Sequence, residues 1–397
     1  MKKSSFWLLL ALVAALALVA SACGGDDDDD DGEPAAEETT GGTDTGDAEA
    51  VDCTAAIGIM GPFTGDVAAI GQEQLNWAKF AVDQFNEERG TTFSLVEGDT
   101  QLDPAQAATV APQFVSNSDI LAVVGPAGSQ EVEAVGSIYA DAGLAFISPS
   151  ATATNLTTDF ETFFRVVPTD ADQGPTDATY MAEELGAQNV FIIDDQSSYS
   201  TGLADSTTAA LEEAGVTVSR ESVSQDQTDF SGLVSSVADD TDVVFLPWQV
   251  AANAQLFGNQ LAEQGKDAVI FGSDGLFSPD DFSIAGSYVS SFAPDITGLD
   301  DPAIQELVAA FEEEYGDFGT FGPPTYAATT VVMEAATAVC EGGEEPTRES
   351  ILEQMPETNL SESILGQPIS FTEDGDIEDA TFFIFQVGED GSYELVQ

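Results

Sequence analysis

Ser129 and Asp274 carry the plainest polar chemistry in this chain. Ser129 follows an apolar run, Ile120 to Val124, and opens a segment of helical period. Its hydroxyl and the free N–H groups of that first turn can receive an anion without any arginine. The same position also suits an ordinary helix N-cap. Asp274 follows the apolar run Ala268 to Phe271 and sits between Ser273 and Gly275. A carboxylate there can meet an ammonium through a charge-assisted hydrogen bond, or simply serve a turn beside glycine. Catalysis lacks its usual parts. The chain has no histidine, which removes Ser-His-Asp and Cys-His machinery, imidazole bases and His-ligated zinc. No lysine is placed to activate a serine. No Gly-x-Gly-x-x-Gly opens a helix after a strand, and no phosphate loop with Gly-Lys-Ser/Thr occurs. The expectation is a binding protein with no cofactor, no metal and no enzymatic activity.

Those residues must be positioned by something. From Cys53 the apolar pattern alternates between short runs and helix-period segments. Strand Ala55 to Met60, helix Gln72 to Arg89 stopped by Gly90, strand Phe93 to Glu97, a helix opening at Asp103-Pro104, strand Ile120 to Val124, helix Ser129 to Asp141 and strand Leu144 to Ile147 form one series. After Pro168 the alternation restarts: helical Gly174 to Leu185, then strands Val190 to Ile193, Val216 to Ser222, Val243 to Leu246 and Ala268 to Phe271, separated by helices. The tail holds helices Pro302 to Tyr315, Pro324 to Cys340 and Thr347 to Met355, then strands near Ile369, Phe382 and Tyr393, with Glu373 to Asp376 as a turn. This predicts an α/β fold of two Rossmann-like lobes, each a largely parallel sheet covered on both faces. Ligands of such sheets lie at the carboxyl ends of the strands, here in the cleft between lobes.

Charge narrows the partners. Among 397 residues there are 72 Asp+Glu and 8 Lys+Arg, a formal net charge of -64. Such a polyanion repels nucleic-acid phosphates, so no nucleic acid is expected. The acidity suits a salty or extracellular setting where screening tames self-repulsion, or else a cationic partner. Lys79, Arg89, Arg220, Lys266 and Arg348 form no cluster, and Arg165 lies in a strand-like segment. A dicarboxylate or phosphate ligand is therefore disfavoured. A hydrophobic share of 43% suffices for real cores.

Lys2 and Lys3 precede an apolar run from Phe6 to Ala20, then Ser21-Ala22-Cys23-Gly24. This reads as a secretory signal over 1–22, and its ending resembles a bacterial lipobox with Cys23 as the lipidated residue. Acyl chains there would hold the protein on the outer face of a cell membrane. Asp26 to Asp31 and the Gly/Thr/Glu/Ala stretch that follows make residues 23–52 an acidic, self-repelling tether. Cys53 and Cys340 remain, as a disulfide or as two buried thiols.

Gly61-Pro62-Phe63-Thr64-Gly65 with Gly71 resembles the opening of leucine/isoleucine/valine-binding proteins, the type I periplasmic solute-binding components of ABC transporters. The resemblance continues through Val123-Val124-Gly125-Pro126 with Ser129, Ile147 to Thr152, Phe164-Arg165, Asp172-Gln173-Gly174, Tyr199 to Gly202, Asp229-Phe230-Ser231 and Gly272 to Gly275. It implies two lobes that close on a ligand, joined by three crossings near Val167, Pro294 and Gly366. Lobe 1 would then be 53–166 with 296–366, and lobe 2 would be 167–295 with 367–397. It further implies that Ser129 binds a ligand carboxylate, that Ser150, Ala151 and Thr152 contact the amino-acid backbone, and that Asp274, where the family often has Glu, meets the ammonium. Tyr199 and Trp248 would be aromatic walls, with Ala127, Gly128 and Phe321 helping to line the pocket. Ile70 falls where a tyrosine often reaches in. The implied partners are a branched-chain amino acid or a related small molecule, and ABC permease subunits, with the binding protein a monomer. A short-chain amide, urea, an aromatic acid or a sensing role are the alternatives.

Overall fold

The computed structural model describes residues 53–397. The expected signal peptide, Cys23 and the acidic tether lie outside the described residues. The first series forms β1 (Thr54–Gly61), α1 (Ala68–Arg89), β2 (Thr92–Asp99), α2 (Pro104–Ser116), β3 (Ile120–Val124), α3 (Ser129–Asp141), β4 (Ala145–Ser148), α4 (Leu156–Asp159) and β5 (Phe163–Arg165). The strands pair in parallel in the order β2-β1-β3-β4-β5. β4 is buried along its whole length, and β3 nearly so, as a sheet covered on both faces demands. Local signals end and begin the helices. Gly90 stops α1 in a left-handed conformation, φ 71, and the Asp103 carboxylate caps α2 by accepting the Ala105 N–H at 2.7 Å.

The second series forms α5 (Asp170–Thr179), β6 (Asn189–Asp194), α6 (Ser198–Glu213), β7 (Thr217–Ser222), α7 (Ser231–Ser236), β8 (Val243–Leu246), α8 (Ala251–Glu263), β9 (Val269–Gly272) and β10 (Tyr288–Ser291). Helices α9 (Pro302–Tyr315), α10 (Gly322–Glu341) and α11 (Arg348–Gln354) follow, then β11 (Phe383–Val387) and β12 (Tyr393–Leu395). The seven-stranded sheet runs β12-β11-β10-β9-β8-β6-β7. It is parallel except where β11 lies antiparallel to β10 and β12. The sequence pattern gives no sign of β10: Tyr288-Val289-Ser290-Ser291 is too short and too polar to stand out. Ile369 forms only an isolated bridge to Leu360 and no strand.

The apolar cores trace which segments belong together. Ile57 and Ile59 of β1, Phe311 of α9 and Val331 and Met333 of α10 pack in one cluster, which also holds Val166, Ile296, Ile369 and Ile377. Val167, Ile193, Val244, Trp248, Phe257, Ala293 and Phe382 pack in another. No helix among the described residues is long and apolar enough to cross a membrane.

Cys53 and Cys340 are bonded, with Cα atoms 5.7 Å apart and 287 residues between them in sequence. The bond fastens the start of β1 to the end of α10. Cross-linking so long a loop restricts the unfolded chain strongly. Reducing the bond, or changing both cysteines to serine, should lower unfolding free energy by about 4 kcal/mol in denaturant titrations. An unchanged midpoint would refute it.

Candidate functional site

One cavity, with about 380 Å3 of space free of protein atoms, gathers residues from the ends of both sheets. Pro62 follows β1, Leu102 follows β2, Ala127 and Ser129 follow β3, and Ser150 follows β4. From the other sheet come Tyr199 at the start of α6, Gln249 after β8, and Asp274 and Gly275 after β9. Val67 and Ile70 of the α1 entrance and Phe321 before α10 complete the lining. Two glycines allow the close approaches. A Cβ on Gly71 would strike the Pro62 carbonyl, and one on Gly275 would strike the Trp248 carbonyl.

The wall from the first sheet is a web of hydroxyls and backbone. Ser148 Oγ donates to the Pro126 carbonyl at 2.7 Å and accepts the Ala151 N–H at 2.9 Å. Ser150 Oγ donates to the Ala127 carbonyl at 2.9 Å and accepts from Gln74 Nε2 at 3.0 Å. Ser129 is the first residue of α3, one position inside the cap, which is Gly128. Its Oγ accepts the Ala153 N–H at 3.2 Å, so its own proton is still free to be donated. Arg165 is fully buried. Its Nη1 donates to the Ala151 and Ala153 carbonyls at 3.1 and 2.8 Å and its Nε to Asp376 Oδ1 at 2.5 Å. It therefore fixes the loop after β4 and stays out of the cavity, as a structural residue should.

The opposite wall is acidic. Asp274, only 3% exposed, accepts at Oδ1 from Gln173 Nε2 at 2.7 Å and from the Tyr199 hydroxyl at 2.6 Å. Gln173 also reaches Ser290 Oγ at 3.0 Å, which donates to Asp177 Oδ2 at 3.2 Å. Asp170, buried beside them, has neither carboxylate oxygen hydrogen-bonded, and the buried Thr152 hydroxyl is unpartnered too. Burial pushes Asp274 up to about 6 and Asp170 up to about 7, and raises Asp177 well above the usual carboxylate range. Among the described residues, no cation relieves Asp274. Lys79, Arg89, Arg165, Arg220 and Lys266 pair with other carboxylates, and Arg348 is tied to backbone carbonyls around β3.

The expected site residues divide. Ala127, Ser129, Ser150, Tyr199, Asp274 and Phe321 line the cavity together. Gly128 and Ala151 adjoin lining residues in the chain without lining it themselves, and Thr152 lies one residue further on, also outside the lining. Trp248 lies elsewhere. Its indole N–H donates to the Ile193 carbonyl at 2.6 Å and its ring packs against Phe230 and Phe257 in the core. Gln249, one residue on, takes the place in the lining. Gln249 and Leu102 had no sequence signal of their own, while Gln173, which grips Asp274, lies in a stretch that carries the resemblance but was not expected in the site. Gln101 and Leu102 are successive left-handed residues, φ 56 and 60, a conformation costing about 1–2 kcal/mol per non-glycine residue.

Comparison with known proteins identifies the family and the fold. The family model for periplasmic binding proteins matches residues 54–392. A leucine-, isoleucine-, valine-, threonine- and alanine-binding protein of Pseudomonas aeruginosa is 29% identical, the alignment covering 85% of this chain and 91% of that protein. The branched-chain amino acid transporter substrate-binding protein of Streptococcus pneumoniae, solved with isoleucine, superposes with a TM-score of 0.78 at 26% identity, over 86% of this chain and 99% of that one. A solute-binding protein of Rhodopseudomonas palustris, solved with 3,4-dihydroxybenzoic acid, shares the fold with a TM-score of 0.74 at 20% identity, over 86% and 96%.

The buried acids set a sign for pH dependence. Asp274, Asp170, Glu73 and Glu131 all sit at about 6 to 7, chiefly through burial. Between pH 4 and 7 the folded protein therefore holds protons that the unfolded chain releases, so stability falls as pH rises. At fixed ionic strength and without ligand, the melting temperature should be higher at pH 5 than at pH 8. A lower value at pH 5 would contradict the raised carboxyls.

Proposed function

This chain belongs to the periplasmic binding protein family, and we propose that it is the lipid-anchored, extracytoplasmic receptor of an ABC importer for a branched-chain amino acid. The observation that carries the reading is Asp274, a buried carboxylate with two neutral donors and no cation of its own. A ligand ammonium would supply the missing charge. The ligand carboxylate would face Ser129 and the first turn of α3, where backbone N–H groups and the helix dipole favour an anion. Pro62, Val67, Ile70, Leu102 and Phe321 leave an apolar space for an aliphatic side chain.

The same family membership suggests how the ligand is caught. The cores change hands between Val166 and Val167, between Ala293 and Ile296, and between Ile377 and Phe382. We place the three crossings at those points, the third some residues beyond Gly366. Ligand that touches both sheets would favour the closed arrangement, because only there are all its contacts made. The closed receptor would be what the permease subunits recognise. Lipidation at Cys23 would keep it beside them.

A neutral amide, urea or an aromatic acid would leave Asp274 without its counter-charge. Titration calorimetry at pH 7.5 should therefore find leucine, isoleucine or valine bound, and benzoate and urea not. Asp274→Ala should weaken leucine by about 2 kcal/mol, roughly thirtyfold. Leucine affinity of the unaltered protein should also drop below pH 6, since the ammonium needs an ionised Asp274. Unchanged leucine binding in the variant, or binding of benzoate alone, would overturn the reading.

A further inference from the structure

We propose that Leu102 is the size filter of the cavity: its isobutyl group is the partition that stops a ligand side chain from extending into the outer cleft, which limits the inner site to short aliphatic amino acids. The inference rests on the amino-acid reading above and adds the residue that selects among them. Leu102 borders two spaces at once. One is the inner cavity with Ser129 and Asp274; the other is a cleft with about 1030 Å3 of free space, lined by Gln130, Glu133, Asp195, Ser198 and Gln225 among others. Among the described residues, no other lines both.

The chain holds Leu102 there at a cost. It is the second of the two successive left-handed residues, and it belongs to none of the apolar cores among the described residues. Core packing therefore does not explain the conformation. The loop is tied at both ends. Asp99 Oδ1 accepts the Thr64 and Gln101 N–H groups, each at 3.2 Å, and the Asp103 N–H donates to the Thr100 carbonyl at 2.9 Å. Leu102 rests on the bare face of Gly128, where a Cβ would come within 2.9 Å of its Cδ1. Beside it, Gln130 Nε2 donates to Gln249 Oε1 at 2.9 Å and joins the two halves of the protein. Ile70 lines the cavity too, but it sits on a regular helix and packs against the second core, so packing already accounts for it.

The test compares ratios of affinities, which general loosening of the site would not change. Full-length protein, Leu102→Ala and Leu102→Phe are each titrated with alanine, valine, leucine and methionine. Leu102→Ala should raise the affinity for methionine relative to leucine at least tenfold, while Leu102→Phe should lose leucine and keep alanine. Ratios within twofold of the unaltered protein in both variants, or a parallel loss of every ligand, would overturn the proposal. Should Leu102→Ala fail to show a cooperative unfolding transition, the Leu102→Phe ratio alone decides. If the unaltered protein binds leucine normally, unchanged ratios or a parallel loss count against Leu102 and leave the amino-acid reading standing; if it binds no amino acid, that reading fails first.

Discussion

A carboxylate taken out of water with no cation beside it is the constraint on which the rest of this structure depends. Asp274 receives only neutral donors, Tyr199 and Gln173, and neutral hydrogen bonds offset part of the desolvation cost at best. In a chain with 72 acids and 8 bases, cations are scarce, and those among the described residues are held by partners away from the cavity. In the proposed reading, a ligand ammonium brings the charge that completes the site. The opposite wall has the complementary character: serine hydroxyls, backbone amides and the start of a helix, which suit an anion.

The two walls are held apart by different means. On the hydroxyl side, Ser148 and Ser150 tie the loop after β4 to the carbonyls of the loop after β3, and Arg165 fixes the loop after β4 from behind. On the acidic side, Asp274 is oriented by residues from two further elements, Gln173 of α5 and Tyr199 of α6. Preorganisation of this kind leaves the ligand to contribute attraction instead of ordering.

Much of this was legible in the sequence, and the misses share a cause. The two-sheet α/β architecture follows from apolar runs of strand length alternating with helix-period segments, and local pattern also marks Ser129 and Asp274, which closely follow such runs, whereas Ser150 and Tyr199 come only with the family resemblance. Gln173 cannot be found that way, because its role comes from reaching another element 101 residues away. Leu102 reads as one more aliphatic residue until its left-handed backbone is seen. The resemblance implies Trp248 in the wall, yet the chain after β8 turns it into the core and leaves Gln249 to line the cavity instead. Strand β10 escaped notice for the opposite reason: its neighbours on both sides, β9 and β11, supply the hydrogen bonds that its four residues do not advertise.

The Cys53–Cys340 link has a mechanical meaning. Both of its sulfurs belong to segments that pack with the five-stranded sheet, while the seven-stranded sheet's strands β6 to β10 are inserted in the chain between them. Tension applied at the N-terminal edge of β1 is shared at once with the far end of α10. The load stays within one half of the molecule and bypasses the strands of the seven-stranded sheet.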